Sequence, residues 1–144
     1  MDVYADTSFL FSYYLPDANS PKARNFMLTL GVPLPLTALH RLELRNAISL
    51  AVFRKAITPA EAKAAWTDVE ADVQAGRLVA VSINWPDVFG DAENLARQES
   101  PVLGTRSLDV LHVASARRVG AIDFLSFDTR QATLARTTAL NVKP

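Results

Sequence analysis

Cysteine is absent from this 144-residue chain, which excludes a disulfide framework and a thiolate metal site. Histidine is nearly absent too, and His40 and His112 alone cannot build a histidine-type zinc site. No apolar run reaches the roughly 18 residues of a membrane span. The start, Met1-Asp2-Val3-Tyr4-Ala5-Asp6, carries an acid where a signal peptide carries a basic region. The expectation is a soluble, cytoplasmic protein with no membrane partner. A net charge is also missing, since fifteen basic residues balance fifteen acidic ones. Bulk electrostatic attraction for nucleic acid is therefore weak. Lysine is scarce, with four against eleven arginines. Guanidinium groups suit bidentate phosphate contacts, although genome composition explains the same bias.

What is present is ordinary globular material, 49% apolar and 21% charged, which excludes disorder. The length fits a single domain over 1–144 with a core that needs no staple. Short apolar runs alternate with helical patterns. Val3–Ala5 ends at Asp6. Ser20-Pro21 opens a helix carrying Ala23, Phe26, Met27 and Leu30 on one face, and Gly31 stops it. Leu34–Leu36 follows as a strand weakened by Pro33 and Pro35. Thr37 caps a helix to about Lys55, and Thr58 with Glu61 makes a capping box for the next. The spacing predicts strands at 78–83, 124–126 and 141–143. It also predicts a helix from Pro86 with Val88, Phe89, Ala92, Leu95 and Ala96 inward, one capped by Ser107 and reaching Gly120, and one capped by Asp128. Strands alternating with helices argue for an α/β fold with a parallel sheet flanked by helices.

In such a sheet, ligands sit beyond the carboxyl ends of the strands, where crossover helices also begin. Asp6 follows the first strand, Asp128 follows a later one, Asp109 lies in a first helical turn, and Glu43 lies early in the helix from Thr37. Each has a plainer role available. Asp128 with Gln131 would serve as an N-cap, and Asp109 would complement a helix dipole. Glu43 is harder to dismiss, because it shares a face with Leu39, Ala47 and Leu50, where an unpaired charge is penalised. Crowded carboxylates repel unless a cation holds them, and hard oxygen donors without cysteine suit Mg²⁺ or Mn²⁺. Such ions activate water for in-line displacement at phosphorus, which points to phosphodiester hydrolysis. Thr7, Ser8, Ser126 and Thr129 supply neighbouring hydroxyls, and Arg106 with Ser107 could approach a phosphate at a helix start. His112 fits an interior hydrogen-bonding role better than that of a base.

Four segments carry a resemblance over nearly the whole chain: Tyr4-Ala5-Asp6-Thr7-Ser8 with Tyr13-Tyr14-Leu15-Pro16, Leu42-Glu43-Leu44-Arg45-Asn46-Ala47, Arg106-Ser107-Leu108-Asp109-Val110-Leu111-His112-Val113-Ala114, and Ser126-Phe127-Asp128-Thr129-Arg130-Gln131. With them the chain resembles the PIN-domain ribonucleases, in particular the VapC toxins of type II toxin–antitoxin pairs. The resemblance implies a PIN-like three-layer fold with a central parallel sheet of four to five strands. It implies that Asp6, Glu43, Asp109 and Asp128 are the catalytic and metal-binding set, using Mg²⁺ with Mn²⁺ as a substitute. Thr7, Arg106 and Ser126 would contact substrate, Ser126 standing where the family commonly has threonine. The implied activity is endonucleolytic cleavage of RNA, transfer or ribosomal. The implied partners are a second copy in a homodimer and a cognate antitoxin inserting into the acidic groove. The segment Phe9-Leu10-Phe11-Ser12-Tyr13-Tyr14 is a candidate docking wall or simple core.

The competing expectation is a PIN-fold interaction module that binds antitoxin or RNA without cutting. A phospho-accepting receiver is disfavoured, because no acid pair precedes Asp6 and no lysine follows the later strands before Lys143. An aspartyl phosphatase would need Asp-x-Asp, and position 8 is Ser8.

Overall fold

A computed structural model describes residues 1–144. In chain order the elements are β1 (Val3–Ala5), α1 (Thr7–Tyr14), α2 (Ser20–Leu30), β2 (Leu34–Leu36), α3 (Ala38–Phe53), α4 (Pro59–Gln74), β3 (Leu78–Ala80), α5 (Trp85–Leu103), α6 (Ser107–Arg118), β4 (Asp123–Leu125), α7 (Thr129–Thr137) and β5 (Asn141–Lys143). They gather into two units, one of Met1–Asp6 with Ser82–Pro144 and the other of Thr7–Val81.

The first unit is built on a parallel sheet of order β1-β4-β5. Its strands are three residues each, so side-chain packing rather than a long ladder must hold it. Every residue of β1 is buried, and the Tyr4 ring stacks on Phe124 of β4 with centroids 5.7 Å apart. Helix α6 buries Asp109 through Ala116 without interruption. The buried run includes the polar Asp109, His112 and Ser115 as well as apolar residues, and α6 packs against both α5 and α7. The Tyr4 hydroxyl and His112 Nδ1 of α6 form a buried hydrogen bond of 2.8 Å, tying the strand to that helix. His112 thus has the interior role expected of it. Arg118 at the end of α6 clamps Asp91 of α5 through two nitrogens and reaches Asp87 at 3.4 Å. Its hydrogen bonds hold the Asp91 carboxyl below the usual range.

The second unit pairs β2 with β3, also in parallel. The five strands are therefore all parallel but divide into ladders of three and two, where one sheet of four to five was expected. Pro35 is the middle residue of β2. Lacking an N–H, it cannot donate to a strand on its second side, which suits an edge position. The expected Thr58–Glu61 capping box forms, and the expected Thr37 cap proves to be a box as well: His40 N–H donates to Thr37 Oγ1 while His40 Nδ1 accepts from Thr37 N–H. Gly31 ends α2 at φ +66°, a left-handed cap that costs glycine nothing.

Several expectations need correction. The strand expected over 78–83 stops at Ala80, because the chain turns towards the Asn84 cap of α5, whose side chain accepts from Asp87 N–H. Phe89 is 54% exposed rather than inward, its place on α5 falling outside the buried face of Val88, Ala92 and Leu95. Arg106, not Ser107, is the N-cap of α6. Leu50 lies exposed, so the apolar stripe around Glu43 narrows to Leu39 and a half-buried Ala47.

Candidate active site

The register of the first unit sets the site. Ala5 pairs with Leu125, so the chain leaves β1 and β4 side by side at their carboxyl ends, and Asp6 N–H donates to Leu125 O at 2.9 Å. The next residues are Asp6 and Ser126. Asp6 is fully buried, and the Ser126 hydroxyl donates to its Oδ2. The same oxygen of Ser126 accepts from Asp128 N–H at 2.9 Å. Asp128 then caps α7, its Oδ1 accepting from the N–H groups of Arg130 and Gln131 at 2.9 and 3.0 Å. The cap role and the strand-end position, set against each other in the sequence, both hold.

Asp109 enters from α6. Its Oδ2 accepts from Arg106 N–H at 2.8 Å, closing the helix start, and lies 3.4 Å from Arg106 Nε. The Arg106 guanidinium also reaches Asp128 Oδ2 at 3.5 Å. Three of the four singled-out acids are thus linked in one unit, in the order Asp6, Ser126, Asp128, Arg106, Asp109. Arg106 was expected to meet phosphate, and here it bridges two carboxylates.

The other oxygen, Asp109 Oδ1, is buried and has no hydrogen-bond partner in the protein. A buried carboxylate oxygen left so is costly, and a cation satisfies it. No three His, Asp or Glu side chains are grouped closely enough to enclose a metal ion. Mg²⁺ does not require such a cage, since it binds through one or two carboxylates and keeps its waters. The surroundings are all oxygen and carry one orphaned carboxylate atom, so Asp109, with at most one neighbouring carboxylate, fits a hard divalent cation that keeps its waters.

Glu43 and Thr7 belong to the second unit, where Thr7 Oγ1 donates to Glu43 Oε2 at 3.1 Å. Thr7 directly follows Asp6 in the chain. In α1, Phe9 and Leu10 are core, whereas Tyr13 and Tyr14 line a cleft of about 780 Å³ with Arg24 and Arg77. The Tyr14 hydroxyl donates to Asp72 at 2.6 Å, and burial first, then that bond, holds it far above the ordinary tyrosine range. Sequence reasoning gave no weight to Arg130. With Arg106, Asp128 and Thr129 it lines a cleft of about 370 Å³, placing a second guanidinium there. Its only sequence signal was its place two residues after a capping acid. Tyr4 was missed as a partner of His112, because no pattern links residues 108 positions apart.

Comparison with known proteins follows the same lines. Among curated proteins none matches the chain. Solved structures do. VapC20 of Mycobacterium tuberculosis, a toxin that cleaves the sarcin–ricin loop, superposes with a TM-score of 0.68 at 18% identity, covering 99% of this chain and 100% of that one. FitAcB from Neisseria gonorrhoeae gives 0.64 at 16%, covering 99% and 96%. VapBC2 from Rickettsia felis, bound to a DNA fragment from its promoter, gives 0.63 at 14%, covering 99% and 98%. At these identities the likeness is one of fold. The model of the PIN domain family matches residues 3–137. The chain, with three acids linked at the carboxyl ends of its parallel strands, belongs to the PIN domain family.

Proposed function

We propose that this protein is the toxin of a toxin–antitoxin pair and a metal-dependent endoribonuclease acting on transfer or ribosomal RNA in the cytoplasm. The observation that carries the reading is Asp109 Oδ1, buried without a donor in a hydrogen-bonded and ion-paired network that includes Asp6 and Asp128. The residues 1–144 act as one PIN domain. Asp6, Asp109 and Asp128 hold Mg²⁺ or Mn²⁺, and Glu43 completes the acidic set that the family resemblance assigns. The bound metal supplies an activated water and stabilises charge at the phosphorus. The remaining work falls to the chain. Ser126 holds Asp6, and Asp128 serves as both cap and ligand. Arg106 passes from the carboxylates to the substrate phosphate, with Arg130 beside it in the same cleft. Thr7 steadies the Glu43 carboxylate. The cognate antitoxin inserts into the acidic groove, and the toxin is a homodimer.

The test is cleavage of structured RNAs with Mg²⁺ or Mn²⁺, with and without chelator. Wild type cuts, chelator stops it, and Asp109→Asn lowers the rate at least about 100-fold while circular dichroism is unchanged. Equal cutting by wild type and Asp109→Asn sinks the site assignment. The Arg106 bridge between Asp109 and Asp128 favours a second reading, an interaction module whose own guanidinium neutralises the acids. That reading predicts neither cleavage nor metal binding by calorimetry.

A further inference from the structure

The second unit carries a basic cleft remote in sequence from the acids at the strand ends. Helices α3 and α4 enclose about 560 Å³ lined by Arg45, Ser49, Lys63, Trp66 and Thr67 over an apolar floor that includes Ile48. No carboxylate is among its lining residues, and neither Arg45 nor Lys63 is paired with one. In a chain of zero net charge, two unpaired cations in one acid-free cleft are a local excess. Arg45 is also held in place. Its Cζ lies 3.9 Å from the centroid of the Trp66 ring, so the guanidinium face is occupied while its in-plane N–H donors stay available. Arg41 approaches the same ring at 5.2 Å and is anchored by Glu70 at 2.7 Å.

We infer that this α3–α4 cleft is an accessory binding site for the backbone of single-stranded RNA, with Arg45 and Lys63 on phosphates. A flanking base lies against the Trp66–Arg45 stack. Single-strand sites combine a cationic track with planar groups on which bases stack, and both are present here. An acidic peptide would use the charge and leave the stacking planes and apolar floor idle. The inference rests on the RNA reading of the proposed function but concerns a different surface.

The experiment is fluorescence anisotropy of a labelled single-stranded RNA of mixed sequence, in chelator so that binding is read without cleavage, over a salt series. Each phosphate contact on a single strand contributes about 0.7 to the slope of log K against log salt. Arg45→Gln and Lys63→Gln each weaken binding and flatten the slope by about 0.7. Trp66→Leu weakens it at least about fivefold, with little change of slope. Arg45→Lys keeps the slope and loses affinity, and Arg97→Gln on α5 changes neither. Circular dichroism checks that each variant folds. Unchanged slopes in both Arg45→Gln and Lys63→Gln overturn the inference even if the wild type cleaves RNA. Displacement of RNA by polyglutamate at equal charge concentration overturns it in favour of an acidic peptide. If the slopes fall as stated but no RNA is cut with metal present, the accessory site stands and the nuclease reading fails.

Discussion

Asp109 divides its carboxylate between two tasks. Oδ2 closes the start of α6 through Arg106 N–H, and Oδ1 is buried with no protein donor. A cap alone would not require the second oxygen to be left so. Asp128 is different, because capping α7 and facing Arg106 engage both of its oxygens. The neighbouring Tyr4–His112 bond shows how the core of this unit is specified. Both side chains are fully buried, so removing the hydroxyl deletes a buried hydrogen bond. Tyr4→Phe is expected to cost about 1–3 kcal/mol, read as a lower denaturation midpoint with an unchanged denaturant slope. The acids were legible in the sequence because each stands at a strand end, a helix start or within an apolar stripe. The Tyr4 hydroxyl was not, since its partner is decided by how β1 lies against α6.

The Tyr14–Asp72–Arg77 cluster joins α1 to the end of α4 and the residue that leads into β3. Tyr14 donates to Asp72 Oδ2, and Arg77 Nε donates to Oδ1 at 2.7 Å. Burial and the Asp72 bond raise the Tyr14 hydroxyl above its ordinary value, and burial with the Asp72 charge raises Tyr13. A tyrosine raised in the folded state stabilises fully below its unfolded value of about 10 and loses that contribution as pH rises beyond it. Wild type is therefore expected to lose stability between pH 9 and 11 more steeply than Tyr14→Phe, measured by urea denaturation at each pH. An equal decline in both would remove Tyr14 from the account. Helix starts and stops were readable here, since Thr37, Thr58 and Gly31 act through local backbone geometry. The sheet was less so. Strands of three residues carry too little pattern to announce how many join one ladder, and the 78–83 run ended early for a cap at Asn84.

The balanced charge of the whole molecule conceals an uneven distribution. Setting aside Asp6, Glu43, Asp109 and Asp128 leaves fifteen basic against eleven acidic residues, a surplus of four. The remainder is mildly basic, which suits the proposed RNA substrate, and the proposed metal would offset the acids. The proposed metal would also stabilise the whole fold, by about 2.7 kcal/mol at 100 times Kd. Mg²⁺ or Mn²⁺ is expected to raise the melting temperature of wild type and to leave Asp109→Asn unmoved. Without metal, that variant melts no lower than wild type, because it removes a buried charge whose Oδ1 lacks a donor. A metal-induced rise of equal size in both proteins removes Asp109 from the ligands. The sequence alone determined the α/β class, the helix caps and the four acids worth suspecting, because periodicity, capping and charge within an apolar face are local properties. Only the tertiary structure decided that Ser126 and Arg106 link three of those acids, that one carboxylate oxygen is buried without a donor, and that Arg45 lies on Trp66. Each of these depends on contacts between elements far apart in the chain, which strand register and helix packing set and no local pattern encodes.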